Sequence, residues 1–548
     1  MNPDYFIKFS FETGIEASDA VSQSTFKDLE GNKYFLHIDG IATNLEEVIR
    51  MHGLEDDLEE NDLFKVIKKI KNPERYLLGS FIIIFFDFKN LKLKVIRDSR
   101  GTKLIYFRKI NKEVFLSNNL NKLIPLANVS PNLERIKGYL SWNYNNHKNT
   151  FFEEISRLPP SHFLEASLGC IKIRKYSLSE NLFESFADDF LMNFKKIFSK
   201  TIKKSMVESE GKSIAIMLSG GLDSSAIGLG ISNLGYSNIN SYSANFSHIK
   251  TPENQTLDER NFQENIISKV GFYHKYIELE GCSPVNSLKE SIDIFSEPIA
   301  FPNIYLFMEI AKAARNDQID ILLDGHDGDV TISHGYETLY DYFIKLKLIK
   351  FLYEIFSYAR IKKISQLKAL KIFLKPALQK IFRMTKKREI ISKGLLDETF
   401  ISDENLISDN ARVYLSHEEK LKNPLLVLGN EYRYIFFKSF NIENRSPFYD
   451  EHLIRFCLDL PSKFKLSKGY TRKILRQFLE DRLGNEHAYR RDKAILSGGL
   501  VNNFTQNDFD QIKIEYMNIH PMIKDLIDRK KVERIFHDWQ TKNSVSEV

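Results

Sequence analysis

The sequence predicts an α/β chain in two parts, an N-terminal α+β sandwich followed by a doubly wound parallel sheet with helical extensions. Closely spaced strand-like runs fill the chain up to about residue 180, and strands alternate with helices from about residue 190. Two loops rich in glycine and aspartate then follow two of the later strands.

The first part is read from five runs: YFLHIDG (34–40), SFIIIFFDF (80–88), LKLKVIRD (91–98), IYFRKI (105–110) and EVFLSNN (113–119). Their β-branched and aromatic residues, broken by Gly, Asn and Lys turns, are what antiparallel sheets require. DLFKVIKKIKN (62–72) carries helical periodicity between two of them.

In the second part, SIAIML (213–218) leads into an apolar-periodic helix expected from Ser224 to near Gly235. INSYSANF (239–246) precedes the helix DERNFQENIISKV (258–270), which Gly271 ends; HKYIEL (274–279) and IDILLDG (319–325) complete the strands. Alternation of this kind implies a parallel sheet. From about Leu339 to Lys393 the chain is helical and dense in Lys. It reads as a helical extension with a solvated basic face, with a membrane-surface or acidic-partner helix as the alternative.

Composition narrows the class. The chain has 548 residues, 43% hydrophobic and 28% charged, the balance of a globular protein of several domains. A formal charge of +5 does not call for a nucleic-acid partner. Its three cysteines, Cys170, Cys282 and Cys457, lie far apart, so no disulfide framework or zinc ribbon is expected and a reducing, cytoplasmic setting fits. The start lacks a signal-peptide pattern, and the longest apolar run, YLLGSFIIIFF, is about half of the ~20 residues a membrane span needs.

The chemistry concentrates in SGGLDSS (219–225). In an open parallel sheet, ligands bind beyond the carboxyl ends of the strands. Gly220 and Gly221 let backbone amides close on an anion, Ser219 and Ser224 add hydroxyl donors, and the following helix aims its positive end at the same place. The Lys and spacing of a Walker A loop are missing. Asp223 beside phosphates is repulsive unless Mg²⁺ lies between them. The second loop, DGHDGDVTISHG (324–335), repeats the logic with Asp324, Gly325, Gly328 and Asp329, so the two loops could hold a magnesium pyrophosphate between them.

These residues resemble the pyrophosphate loop of the ATP pyrophosphatase group, and within it the chain resembles the asparagine synthetase family over nearly its whole length. RDSRGTKLIYF (97–107), FFEEISRLPPSHFLE (151–165), Asp258 with Glu259, SEPIAFPN (296–303), IENRSPFYD (442–450) and RRDKAILSGG (490–499) carry the resemblance in order. It implies an Ntn-type glutaminase-like domain over 1–180 and a synthetase domain over 190–548. ATP binding falls to Leu218, Ser219, Gly220, Gly221, Asp223, Ser224, Asp324 and Gly325, and Mg²⁺ to Asp223 and Asp329. Lys493 matches the place of the catalytic lysine, which would neutralise the oxyanion and the departing AMP.

The pattern breaks in two places. The glutamine-hydrolysing members begin with a nucleophilic cysteine, whereas this chain begins Met1-Asn2-Pro3, and Asp39-Gly40-Ile41 stands where the family has Asn-Gly-Glu. A glutaminase-like domain without glutaminase activity is expected. In the second loop His326 replaces the family's Glu, and a neutral imidazole there could accept a proton from an amine. The expectation is therefore an AMP-forming ligase that adenylates a small carboxylate or a peptide for attack by ammonia or an amine. The alternative is an intramolecular cyclase like the β-lactam synthetases and lasso-peptide cyclases. RNA-modifying ATP pyrophosphatases are disfavoured because no catalytic Cys pair accompanies the loop. A homodimer is left open.

Overall fold

The computed structural model describes residues 4–491 and 508–542, except positions 13, 18–24, 29, 57–60, 168, 187, 208, 247–258, 280, 302, 382–394 and 396–414. The first strands are β1 (Phe6–Ser10), β2 (Gly14–Ala17), β3 (Thr25–Lys27), β4 (Lys33–Ala42), β5 (Gly79–Asp87) and β6 (Lys92–Arg97). After them come β7 (Tyr106–Ile110), β8 (Glu113–Ser117), β9 (Ile155–Arg157), β10 (His162–Ser167) and β11 (Cys170–Lys175). They pair antiparallel in two sheets, ordered β2-β1-β8-β7-β9 and β11-β10-β6-β5-β4-β3.

The run FIIIFF in β5 explains the layering. Ile82, Ile84 and Phe86 meet Ile7, Phe9, Val114 and Leu116 of the other sheet. Phe81 and Ile83 face α1 (Leu45–Met51) and α2 (Asp62–Lys69) through Val48, Phe64 and Ile67. A strand buried on both faces reads as a continuous apolar run rather than an alternating one. The α2 helix starts where Asn61 accepts the Phe64 amide at 2.8 Å.

Beyond α3 (Leu133–Leu140) and α4 (Phe190–Ser205) comes the second sheet region. It alternates β12 (Ile214–Met217), α5 (Leu222–Asn233), β13 (Asn240–Asn245), α6 (Arg260–Val270) and β14 (Tyr273–Glu278). Next are α7 (Pro284–Phe295), α8 (Ile304–Asn316), β15 (Ile321–Leu323) and α9 (Gly328–Ile332). The helices α10 (Tyr336–Ile344), α11 (Leu348–Lys362), α12 (Gln366–Ile381), α13 (His417–Leu421) and α14 (Pro424–Ser439) separate these from β16 (Glu443–Arg445). The strands pair in parallel in the order β14-β13-β12-β15-β16. Ile214, Ile216 and Leu218 point into a core with α4 and α5, and Ala215 and Met217 into one with α8 and α14. Helices thus cover both faces, as a parallel sheet demands. After β16 come α15 (Glu451–Asp459), α16 (Ser462–Lys465) and α17 (Lys473–Ala488), and later α18 (Phe509–Met517), α19 (Pro521–Lys524) and α20 (Arg529–Lys542).

Two boundaries differ from the sequence reading. The helix expected from Ser224 begins at Leu222, because Gly221 already holds the extended N-cap backbone (φ −74°, ψ 164°). The helix expected from Asp258 begins at Arg260; Asp258 lies outside the described residues. Gly271 ends it in the left-handed conformation, φ 71°.

Buried ion pairs tie the sandwich to the parallel-sheet region. Arg97, fully buried, donates to Glu431 on α14 at 2.9 Å and to the Lys103 and Leu158 carbonyls at 2.7 and 2.6 Å. Arg157 pairs with Glu297 and lies 3.8 Å from Glu431, while Glu297 also accepts the Phe151 amide at 2.7 Å. Arg100 forks onto Glu451 with both contacts at 2.8 Å. Burial alone would raise the Glu431 pKa; the charges of Arg97 and Arg157 outweigh it and hold it below the ordinary value.

Candidate active site at two facing loops

The β12–α5 loop is built for close approach. Gly220 holds φ 74°, a left-handed conformation that favours glycine, and a Cβ there would stand 3.0 Å from the Gln263 amide nitrogen. Ser219 is exposed at the strand end, and its hydroxyl lies 3.0 Å from that of Ser224 and 3.4 Å from the Gly221 amide. Leu218 is buried beneath them. No side chain caps the first turn of α5, so its amides remain as donors for an anion, with the Ser219 hydroxyl beside them and the Ser224 hydroxyl donating to the Gly221 carbonyl at 3.3 Å. This donor set fits the phosphates of ATP.

The second loop packs directly on the first. A Cβ on Gly325 would come 2.8 Å from the Ser224 amide nitrogen, and one on Gly328 would come 2.8 Å from the Asp223 carboxyl. Only glycine permits that contact. Asp324, by contrast, turns inward: buried, it accepts from the His326 amide at 3.0 Å, Asn444 at 2.9 Å and the Ser446 hydroxyl at 2.7 Å. Burial works against its charge, but His326, Arg433 and Ser446 hold its pKa far below the usual range. Its carboxylate therefore braces the loop against β16. His326 lies beside it, Nδ1 3.4 Å from Asp324 Oδ2, with its ring tilted on Phe307 at 5.3 Å. Asp327 accepts from Tyr449 and lies 3.9 Å from Arg433.

A cation stands against Asp223, one of the two carboxylates the sequence offers for a metal. Arg472 Nη1 lies 2.8 and 2.7 Å from the two oxygens of Asp223, and the Asp329 carboxylate acts on the same guanidinium. Arg472 holds φ 52°, uncommon for a residue with a Cβ. His334 adjoins this group; burial and the Arg472 charge lower its pKa, so the imidazole is neutral. Among the described residues no three His, Cys, Asp or Glu side chains group as a metal site. Two carboxylates together with nucleotide phosphate oxygens do form the oxygen set that Mg²⁺ takes.

Arg490 braces the first loop from the other side. It donates to the Gly220 carbonyl at 2.9 Å, forks onto Glu259 at 2.7 and 2.6 Å, and stacks over Phe262 at 3.8 Å. Lys493 lies outside the described residues. Arg472, Arg433 and the Arg490–Glu259 pair were not singled out as site residues from the sequence, because each meets its partner only through the fold.

At the sandwich end of the chain, Asp39 on β4 is buried, accepts from Tyr434 and lies 3.3 Å from the Asn118 amide and 3.9 Å from Lys103 Nζ. It lines a cavity of about 350 Å³ that continues past Arg433, Asn444 and Ser446 toward the second loop.

A sequence model described as asparagine synthase matches residues 193–401 and 437–547, and one described as a glutamine amidotransferase domain matches 70–177. No curated protein sequence gives a significant match. Among solved structures, the chain aligns with a glutamine phosphoribosylpyrophosphate amidotransferase from B. subtilis complexed with ADP and GMP at 9% identity and TM-score 0.25, over 51% of this chain and 85% of that one. An allosteric regulatory enzyme of purine biosynthesis aligns at 9% identity and TM-score 0.24, over 50% and 74%. A U34-tRNA thiolase from Methanococcus maripaludis with its 4Fe–4S cluster aligns at 14% and 0.22, over 44% and 79%. The structural alignments are too loose to carry the assignment, which rests on the family models. With the asparagine synthase match covering more than half of its length and an Ntn-type amidotransferase domain before it, the chain belongs to the asparagine synthase family of ATP-dependent ligases.

Proposed function

We propose that the chain is an AMP-forming carboxylate–amine ligase whose two units span about 1–180 and 190–548. The observation that carries this reading is the contact of the two loops at Gly325–Ser224 and Gly328–Asp223. In it, Ser219, Ser224 and the amides of Gly221 and the first turn of α5 hold the β- and γ-phosphates of ATP. A substrate carboxylate attacks the α-phosphorus and pyrophosphate leaves. An amine then attacks the acyl carbon of the adenylate and AMP departs. Asp223 and Asp329 would hold Mg²⁺, which when bound neutralises charge on the phosphates. Lys493, at the place of the family's catalytic lysine, would stabilise the oxyanion. His326 would accept the proton of the amine.

We further propose that the amine is not drawn from glutamine. Asp39-Gly40-Ile41 stands where relatives carry the Asn-Gly-Glu stretch that binds glutamine, and Asp39 is held by Tyr434, Asn118 and Lys103. Of the described cysteines, Cys170 is exposed on β11, with β10, β6 and β5 between it and β4.

The test is pyrophosphate release from ATP and Mg²⁺ across a panel of carboxylates, with and without ammonia. Release that requires one carboxylate class supports the reading, and dependence on added ammonia separates intermolecular amidation from cyclisation. Release of glutamate from glutamine would overturn the assignment of the amine source.

A further inference from the structure

The helices α10–α12 carry a surface that the ligase chemistry does not use. Residues 336–381 contain ten Lys and Arg against three carboxylates, Glu337, Asp341 and Glu354. Glu354 faces the protein, where it accepts the Lys468 and Gly469 amides at 3.2 and 2.8 Å, Glu337 is held by Lys420 at 2.9 Å, and Asp341 is exposed on α10. The inner side of the helices is ordinary core, with Leu339, Phe351, Ile355 and Phe373 packed together.

The outer side is not. At the turn from α10 into α11, Leu346 is 79% exposed and Ile349 87%, with Tyr353 exposed one turn further on. Lys345, Lys347 and Lys350 are exposed between them. On α12, Leu367 is 73% exposed next to Lys368. Single exposed apolar residues are normal, whereas a run of them at a protruding turn marks a docking surface.

The charge pattern selects the occupant. A nucleic acid would take the lysines and leave the aliphatic side chains in water. An acidic protein surface would do the same unless it also offered apolar pockets. An anionic lipid interface takes both, since Leu and Ile enter the acyl boundary while Lys stems reach back to the headgroups. An anionic leaflet also repels carboxylates, and this surface turns only one outward among the described residues 336–381, Asp341 at the edge of the patch, against the exposed Lys345, Lys347, Lys350 and Lys368. Among the described residues no helix is long and apolar enough to cross a membrane, so the contact is one of surface docking.

We propose that the turn between α10 and α11, with the first turn of α12, docks the enzyme on an anionic lipid bilayer. The test uses the full chain in flotation with vesicles of phosphatidylcholine alone and of phosphatidylcholine mixed with phosphatidylglycerol. The protein floats with the anionic vesicles, and about ten-fold less with the neutral ones or at high salt. The double variant Leu346→Ser/Ile349→Ser and the triple variant Lys345→Gln/Lys347→Gln/Lys350→Gln each weaken flotation about ten-fold while melting like the wild type and releasing pyrophosphate at its rate. Flotation with neither vesicle, or equal flotation with both, overturns the proposal. So does a wild-type dimer that Leu346→Ser/Ile349→Ser converts to a monomer without any vesicle binding, which would assign the surface to a second copy of the chain.

Discussion

Arg472 grips Asp223 through one nitrogen, Nη1, 2.8 Å from one carboxylate oxygen and 2.7 Å from the other. On the proposed reading, in which Asp223 would hold Mg²⁺, the ion would compete with this guanidinium for the carboxylate. Arg472→Met should lower the Mg²⁺ concentration for half-maximal pyrophosphate release about five- to ten-fold, equivalent to about 1 kcal/mol. An unchanged Mg²⁺ titration would remove Arg472 from the competition.

Asp223→Asn should leave the fold intact, since the amide still fits between Gly328 and Arg472. Pyrophosphate release should fall about 10²-fold or more, the loss expected when a ligand of a charge-neutralising metal is removed. Circular dichroism and product assay on the same sample check both halves.

The buried pairing of Arg157 with Glu297 and Glu431 predicts a structural defect rather than a catalytic one. Arg157→Met leaves two buried carboxylates short of a counter-charge and should cost about 3–5 kcal/mol. Urea denaturation reads the loss. Adding Glu297→Gln should recover part of it, because the uncompensated charge is then reduced.

Stability should also fall as the solution turns mildly acid. Burial lowers the pKa of His274 and His487 from 6.5 to about 4, with Arg490 adding to the effect at His487. Between these values the unfolded chain binds protons that the folded chain refuses, so stability is complete above pH 6.5 and declines toward pH 4, by up to about 1.4 kcal/mol per unit of displacement. Below the ordinary Glu value of 4.5, protonation of Glu431 weakens the Arg97 and Arg157 pairs and adds to the loss. Melting temperatures from pH 7.5 to pH 4.5 test this, and His487→Gln, which keeps a partner for Ser225, should flatten the decline.

His326→Gln should slow amide formation about 10²-fold while sparing adenylation, the effect expected of a lost general base. Pyrophosphate and amide measured in the same reactions separate the two steps. Equal rates of amide formation would leave the histidine as a partner of Asp324 alone.

Much of this architecture is written locally. SIAIML followed by Ser219 and two glycines announces a buried strand and a tight turn into a helix within a dozen residues, and the structure has both at β12 and the start of α5. The same locality let DGHDGD be read as a second loop. Its facing glycines, however, matter through contact with Asp223 and Ser224, which no spacing reveals. Arg472 meets Asp223 across 249 positions and Arg97 meets Glu431 across 334, so neither pair leaves a periodic trace. SEPIAFPN was legible as a family motif, but its Glu297 serves a buried ion pair between the two regions, a role that appears only once Arg157 is folded against it.

On the proposed mechanism, the two facing loops cleave ATP between its α- and β-phosphates. Phosphorus NMR of ATP turned over by the wild type and by Asp223→Asn, with the carboxylate found in the panel, tests it most directly. AMP and pyrophosphate are expected from the wild type and unchanged ATP from the variant. Accumulation of ADP and phosphate, or undiminished pyrophosphate from Asp223→Asn, would contradict it.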